Sequence, residues 1–326
     1  MAFFAMIILA PKEDALFWNS IALGGLMVFF WLFEALPIYV TALLPFIFGI
    51  PLGVIDKAGL ASSYGNTTIY LFLGGFVLAL ALEKHDVHKQ IAKRIITLVG
   101  NSKARLLLGF ILSTSFLSMW ISNTATALMM LPMALAITSS MPKKKGKSKF
   151  TLFLLLSIAY SASVGGMATI VGSPPNGSMQ SILAQNYDIH ITFAQWMKVG
   201  IPLSFALQFV LFGFFYLLLG SERKEKIDVA IEKKKWTVSQ LKVLFIFLLV
   251  VSMWSFKSVI VYYLNIDFED FGPALLGAML LFITPSDKSK MLLEWKDTRN
   301  LPWGILILFG GGLALAKMFE SNGVIT

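Results

Sequence analysis

The sequence of 326 residues has no cysteine, three histidines and only 14% charged residues. Without cysteine there is no disulfide, no thiol nucleophile and no cysteine-ligated metal. His85, His88 and His190 fall into no HExxH or similar ligand spacing, and no GxSxG motif is present, so the usual metallohydrolase and serine-hydrolase signatures are missing. A soluble domain carries about 25% charge; 57% hydrophobic residues and a mean hydropathy of +0.76 place this chain among polytopic membrane proteins instead. The run Met1–Ala10 lacks a basic n-region and stops at Pro11, which argues against a cleaved signal peptide. It is too short to cross a bilayer alone, and it reads as the end of a helix that starts upstream. The net charge of +9 does not indicate nucleic acid, because the basic residues sit in short loops between apolar segments.

Apolar segments lie at about 16–33, 36–50, 67–82, 106–136, 151–185, 194–220, 239–264, 271–284 and 302–319. Basic clusters at 84–105, 143–149, 222–235 and 288–299 are expected on the cytoplasmic side. The connections at 186–192 and 265–270 carry acids but no Lys or Arg, and fit outside. Between 83 and 100, Lys84, Lys89, Lys93 and Arg94 alternate with Val87, Ile91, Ile95 and Ile96, which predicts an amphipathic helix in the interface. The crossings alternate consistently only if 106–136 does not cross.

That segment has Ser122-Asn123-Thr124 at its centre. Lys103 and Arg105 flank it on one side, and Lys143, Lys144, Lys145, Lys147 and Lys149 on the other. Its arms, 106–121 and 125–136, fall short of the roughly 20 residues that span a hydrocarbon core. It reads as a re-entrant hairpin, about 104–141, which is tolerated only where it lines a cavity or is buried in protein. The triplet offers hydroxyl and amide groups and the N-terminus of the second arm, which suits a carboxylate. Ser118, four residues before Ser122, is placed one turn back on the same face. Freed carbonyls together with Ser118, Ser122 and Asn123 oxygens suit a hard cation such as Na+; helix capping is the plainer role for the same residues.

A second motif, Gly165-Gly166-Met167-Ala168-Thr169-Ile170-Val171-Gly172-Ser173-Pro174-Pro175-Asn176, interrupts an apolar run long enough to span. Pro174 and Pro175 lack backbone donors and bias the preceding residues away from helix. Gly172 permits a turn and Pro175 can open a new helix. The 151–185 helix is therefore predicted to break near mid-membrane, freeing the Gly172 carbonyl for a cation and the Ser173 hydroxyl for an anion; a simple proline kink is the alternative.

There is also an internal repeat. Phe72–Val87 aligns without gaps on Phe309–Val324, with identities at Phe, Gly, Gly, Leu, Ala, Glu and Val, seven of sixteen positions. By the loop charges the two copies run in opposite directions, which is the inverted-topology repeat of many secondary transporters. No second hairpin follows the second copy, so the second repeat reads as incomplete and the chain as C-terminally truncated. The segment boundaries are 1–66 for N-terminal scaffold helices, 67–220 for the first repeat, 221–238 for a basic cytoplasmic loop and 239–326 for the start of the second repeat.

The stretches WLFEALPIYVTALLP (31–45), LFLGGFVLALALEK (71–84), SMWISNTATALMMLPMALAI (118–137) and YSASVGGMATIVGSPPNG (160–177) resemble the divalent anion:Na+ symporter (DASS) family of di- and tricarboxylate transporters. The resemblance implies an all-α inverted-repeat secondary transporter with a re-entrant hairpin, a broken helix, an elevator-like transport domain and a scaffold domain that dimerises. It implies that Ser118, Ser122, Asn123 and Gly172 form a Na+ site. Asn123, Thr124 and Ser173 would then meet one carboxylate of the substrate, and Pro174, Pro175 and Asn176 would form the structural break. The family's second Ser-Asn-Thr motif is absent from this sequence. The expected function is Na+-coupled uptake of a C4-dicarboxylate such as succinate, malate or fumarate, with no organic cofactor and no enzymatic activity, in the inner or plasma membrane. Dicarboxylate, citrate or sulfate exchange, a channel, and a non-transporting truncated product are the competing readings.

Overall fold

Proline and glycine decide where the apolar runs become helices. The computed structural model describes residues 11–139, 141, 149–227, 235–287 and 290–325; over these the chain is all-α, with fourteen α-helices and no strand among the described residues. The helices are α1 (Ala15–Phe33), α2 (Ile38–Thr41), α3 (Lys57–Tyr64), α4 (Thr67–Lys84), α5 (Val87–Val99), α6 (Lys103–Ser118), α7 (Asn123–Ser139), α8 (Lys149–Gly166), α9 (Pro174–Tyr187), α10 (Phe193–Leu218), α11 (Val238–Ser255), α12 (Lys257–Leu264), α13 (Phe271–Ile283) and α14 (Trp303–Ser321). Among the described residues, six helical stretches are long and apolar enough to cross a membrane: α1, α3 with α4, α8, α10, α11 and α14.

Two of the apolar segments are subdivided in the structure. The 36–50 segment is not one helix. Pro37, Pro45 and Pro51 divide it into the single turn α2 and a π-helical turn at Pro45–Gly49. The 239–264 segment divides at Phe256 into α11 and α12. The stretch Met1–Ala10, Lys143, Lys144, Lys145, Lys147 and residues 228–234 of the basic loop lie outside the described residues.

The chain forms two compact units, each discontinuous in sequence, with boundaries inside α4 and α9. The first comprises Met1–Leu73, Ser178–His190 and Pro302–Thr326. Its core joins Ala22, Leu23 and Met27 of α1 to Leu44, Val54, Ile55, Leu60, Ala314 and Met318. Asp56 caps α3 by accepting from the Gly59 amide at 2.7 Å. Asn322 closes α14 onto this core: its Nδ2 donates to Ser20 Oγ (2.9 Å) and Val54 O (2.8 Å).

The second unit comprises Gly74–Gly177 and Ile191–Leu301. Its core joins α6 (Leu106, Leu107, Phe110, Ile111), α7 (Met130, Ala134, Ile137), α8 (Phe150, Leu154, Ile158) and Phe215 of α10. The amphipathic segment at 83–100 is helical as α5, and its apolar face at Ala92 and Ile96 packs on α6. A Cβ added at Gly109 would stand 3.1 Å from the Ile96 Cα, so glycine permits that close approach.

The two aligned copies make matching contacts. Phe72 and Phe309, equivalent in the repeat, have ring centroids 4.8 Å apart. Gly74 lies against Ala274, and its equivalent Gly311 lies against Ala42; an added Cβ would meet partner atoms at 2.6 Å in both cases. Ala42 and Ala274 each begin an Ala-Leu-Leu triplet. His85 meets Leu292 O through Nε2 at 2.9 Å, and its equivalent Asn322 donates to Val54 O at 2.8 Å. Val54-Ile55-Asp56 and Leu292-Leu293-Glu294 share one pattern.

Candidate functional site

The Ser-Asn-Thr triplet occupies the turn between α6 and α7. Helix α6 ends at Ser118, and Met119, Trp120 and Ile121 close the turn with amide bonds to Ser115 O and Leu117 O at 3.0 to 3.1 Å. Ser122 acts as the cap of α7: its Oγ accepts from the Ala125 amide at 3.4 Å and its carbonyl from the Thr126 amide at 2.9 Å. This corrects the expectation that Ser118 and Ser122 share a helix face. The helix stops at the first of them, and the second belongs to the start of the next.

The Gly-Ser-Pro-Pro-Asn motif breaks the 151–185 run as the prolines dictate. Helix α8 stops at Gly166, residues 167–173 are irregular, and α9 opens at Pro174 rather than Pro175. A proline at the first helical position gives up an amide that would have had no partner. The carbonyls freed by the break need donors. Asn176 supplies them: its Nδ2 donates to Gly166 O and Thr169 O, both at 2.8 Å. Buried Thr169 ties the break to the hairpin turn, donating through Oγ1 to Met119 O and accepting from the Gly172 amide at 3.1 Å.

These two features meet around one side chain. The fully buried Ser118 hydroxyl lies 2.6 Å from Ala162 O and 2.8 Å from one terminal atom of the Asn123 amide. That same amide atom is 3.0 Å from Ala162 O and 3.2 Å from Gly172 O. With nitrogen in this position Asn123 has all three oxygens within reach of its two amide hydrogens. With oxygen there, an amide oxygen, a hydroxyl and two carbonyls converge with only the Ser118 proton to share. Convergence of neutral oxygens is the donor set of a hard cation. Gly166 and Gly172 make the space: a Cβ on Gly172 would lie 2.6 Å from Gly166 O and 2.9 Å from Ser118 O, and one on Gly166 would overlap the Asn123 amide.

No titratable side chain belongs to this cluster. Among the described residues there is also no group of three or more His, Cys, Asp or Glu that could hold a metal ion. Charge at the site comes from backbone: α7 starts at Asn123 and α9 at Pro174, and each N-terminus carries partial positive charge. Exposed Thr124 and half-buried Ser173 stand at these two helix starts, and neither hydroxyl is hydrogen-bonded to a described residue.

The structure therefore brings Ser118, Asn123 and Gly172 together and places Ser122 at the cap of α7. Sequence reasoning missed Ala162 O and Thr169. Thr169 lies inside the glycine motif as the one hydroxyl between Gly166 and Gly172, which was an available signal. The Ala162 carbonyl carried none, because a backbone oxygen is independent of residue type.

The model of a citrate transporter family matches residues 28–326. The chain is 36% identical over 315 residues to the sodium-dependent dicarboxylate transporter SdcS of Staphylococcus saprophyticus, covering 90% of this chain and 60% of that protein. It is likewise 36% identical over 322 residues to the protein of the same name from Staphylococcus aureus strain USA300, with the same coverage. The chain thus spans 60% of the length of these curated relatives.

Proposed function

The chain belongs to the citrate transporter family, and from that premise we propose that it serves secondary active uptake of dicarboxylates coupled to Na+. The observation that carries the reading is the clustering of Ser118 Oγ, Ala162 O and Gly172 O around one terminal atom of the Asn123 amide, between the hairpin turn and the helix break. In this reading those atoms hold Na+, with the Asn123 amide turned to present oxygen. A site of neutral oxygens suits a monovalent ion, whereas Ca2+ sites are usually built with carboxylates. Thr124 and Ser173, whose hydroxyls have no partner among the described residues, meet a substrate carboxylate at the two helix N-termini. Asn123 lies between the ion and the anion and so couples them.

Alternating access by an elevator-type movement of inverted repeats, and assembly as a homodimer, complete the reading. The family resemblance supports both, and the matching contacts of the two repeat copies support the repeat. The experiment is uptake of labelled succinate into vesicles bearing the protein, with external Na+ replaced by K+. Uptake that falls to background without Na+ and in Asn123→Ala agrees with the proposal. Uptake that ignores Na+ but requires internal dicarboxylate identifies an exchanger, and the coupling proposal fails.

A further inference from the structure

A cavity of about 510 Å³ lies where α6 begins and α10 ends, within the second unit. Four cations line it, Arg105, Arg223, Lys224 and Lys226, and no acid among the described residues does. None of the four forms an ion pair with a described residue. Glu222 and Glu225, beside these cations in the chain, are engaged by buried Lys103 at 2.5 and 3.0 Å. The rim is held by backbone: the Lys103 amide donates to Glu225 O and the Ile227 amide to Asn101 O, each at 2.9 Å. Arg223 stacks over the Tyr216 ring at 5.0 Å, which fixes its guanidinium at the edge of the cavity.

The remaining wall is apolar, from Leu108, Phe212 and Tyr216. Phe212 and Tyr216 belong to the last turns of α10, a helix long and apolar enough to cross a membrane. On the same face of α10, at helical spacing from them, Phe205 and Phe209 are 43% and 60% exposed. The cationic cavity therefore opens onto a surface made for acyl chains. A free phosphate or a soluble dianion has no use for that wall. A lipid with a phosphate headgroup uses both parts, and basic pockets beside transmembrane helices bind such headgroups on the cytoplasmic side.

We propose that this cavity binds an anionic phospholipid, its phosphate held by Arg105, Arg223, Lys224 and Lys226 and an acyl chain laid along Phe212 and Tyr216. The site is separate from the Asn123 cluster and does not depend on the transport reading. The test is native mass spectrometry of the full chain, purified in detergent, stripped of lipid and offered phosphatidylglycerol or phosphatidylcholine. Wild-type protein is expected to retain phosphatidylglycerol about tenfold better than phosphatidylcholine. The Arg105→Gln/Arg223→Gln/Lys226→Gln variant is expected to lose that preference, and the charge-conserving Arg105→Lys/Arg223→Lys variant to keep it.

Equal retention of the two lipids by wild type, or an undiminished preference in the triple variant, overturns the proposal. Displacement of phosphatidylglycerol by millimolar inorganic phosphate also overturns it, by assigning the cavity to a free anion. If the triple variant does not fold, a photoactivatable phosphatidylglycerol on wild-type protein decides. Label on peptides containing residues 105–108 or 212–216 supports the site, and label on neither overturns it.

Discussion

Phe72 and Phe309 occupy the same position in the two copies of the repeat, and their rings face each other with centroids 4.8 Å apart and planes tilted by 38°. Equivalent residues of the two copies also make like contacts, each within its own compact unit. Two such pairs are present: Gly74 on Ala274 and Gly311 on Ala42, and His85 at Leu292 O and Asn322 at Val54 O.

The glycines of these helices are expected to respond to alanine with opposite signs. At Gly311 a Cβ would stand 2.6 Å from Ala42 O and 2.7 Å from Ala42 Cβ, and at Gly74 2.6 Å from Ala274 backbone. Gly311→Ala and Gly74→Ala should each cost about 1–3 kcal/mol through forced backbone shifts. Gly312, one residue on, has nothing within 4 Å, so Gly312→Ala should gain roughly 0.5–1 kcal/mol of helix stability. Thermal unfolding in detergent distinguishes them.

Lys103 should behave as a structural cation. Its side chain is 2% exposed and paired with Glu222 and Glu225. Burial opposes its charge, but the hydrogen bonds and charges of the two glutamates outweigh that and hold the ammonium above the usual lysine range. With the folded value raised, the contribution is complete below about pH 10.4 and is lost only as pH rises through the folded value. Lys103→Met should therefore cost about 3 kcal/mol at neutral pH, read as a fall in the unfolding temperature.

His88 carries the opposite dependence. Burial disfavours its charged form and lowers its pKa, although the bond from Nδ1 to Leu82 O at 3.0 Å and nearby Asp86 pull the other way. A histidine held neutral leaves the unfolded chain binding more protons below about pH 6.5. Its contribution is thus complete above that pH and declines as pH falls through the lowered folded value. Unfolding temperature should drop between pH 7 and 5 in the wild type and drop less in His88→Gln.

Asn176 is expected to be a support rather than a ligand. Removing its amide in Asn176→Ala strands Gly166 O and Thr169 O, a loss of about 1–3 kcal/mol. Asn176→Asp should be worse, since an ionised carboxylate can donate to neither. Hydrogen exchange of the peptide covering 167–173 measures the loosening directly.

The helix breaks were legible because proline and glycine act locally: Pro174 opens α9 whatever surrounds it, and the triplet at 122–124 marks the α6–α7 turn. The 36–50 run is legible as an apolar segment, but its division at Pro37 and Pro45 is not visible in apolar content alone. The Ala-Leu-Leu segments at 42–44 and 274–276 escaped notice, since their spacing to Gly74 and Gly311 differs, 32 residues against 37. Ser122 was placed with Ser118 by counting helical turns through a helix that ends between them. What no residue type announces is which carbonyl turns inward, as Ala162 O does towards Asn123.

The most direct test of the proposed ion site is a titration of the purified chain with Na+ against K+ at constant ionic strength, following hydrogen exchange of the peptides covering 118–126 and 162–176. The account predicts saturable protection of both peptides by Na+ and not by K+, lost in Asn123→Ala. Equal protection by the two ions, or Na+ protection that persists in Asn123→Ala, would contradict it.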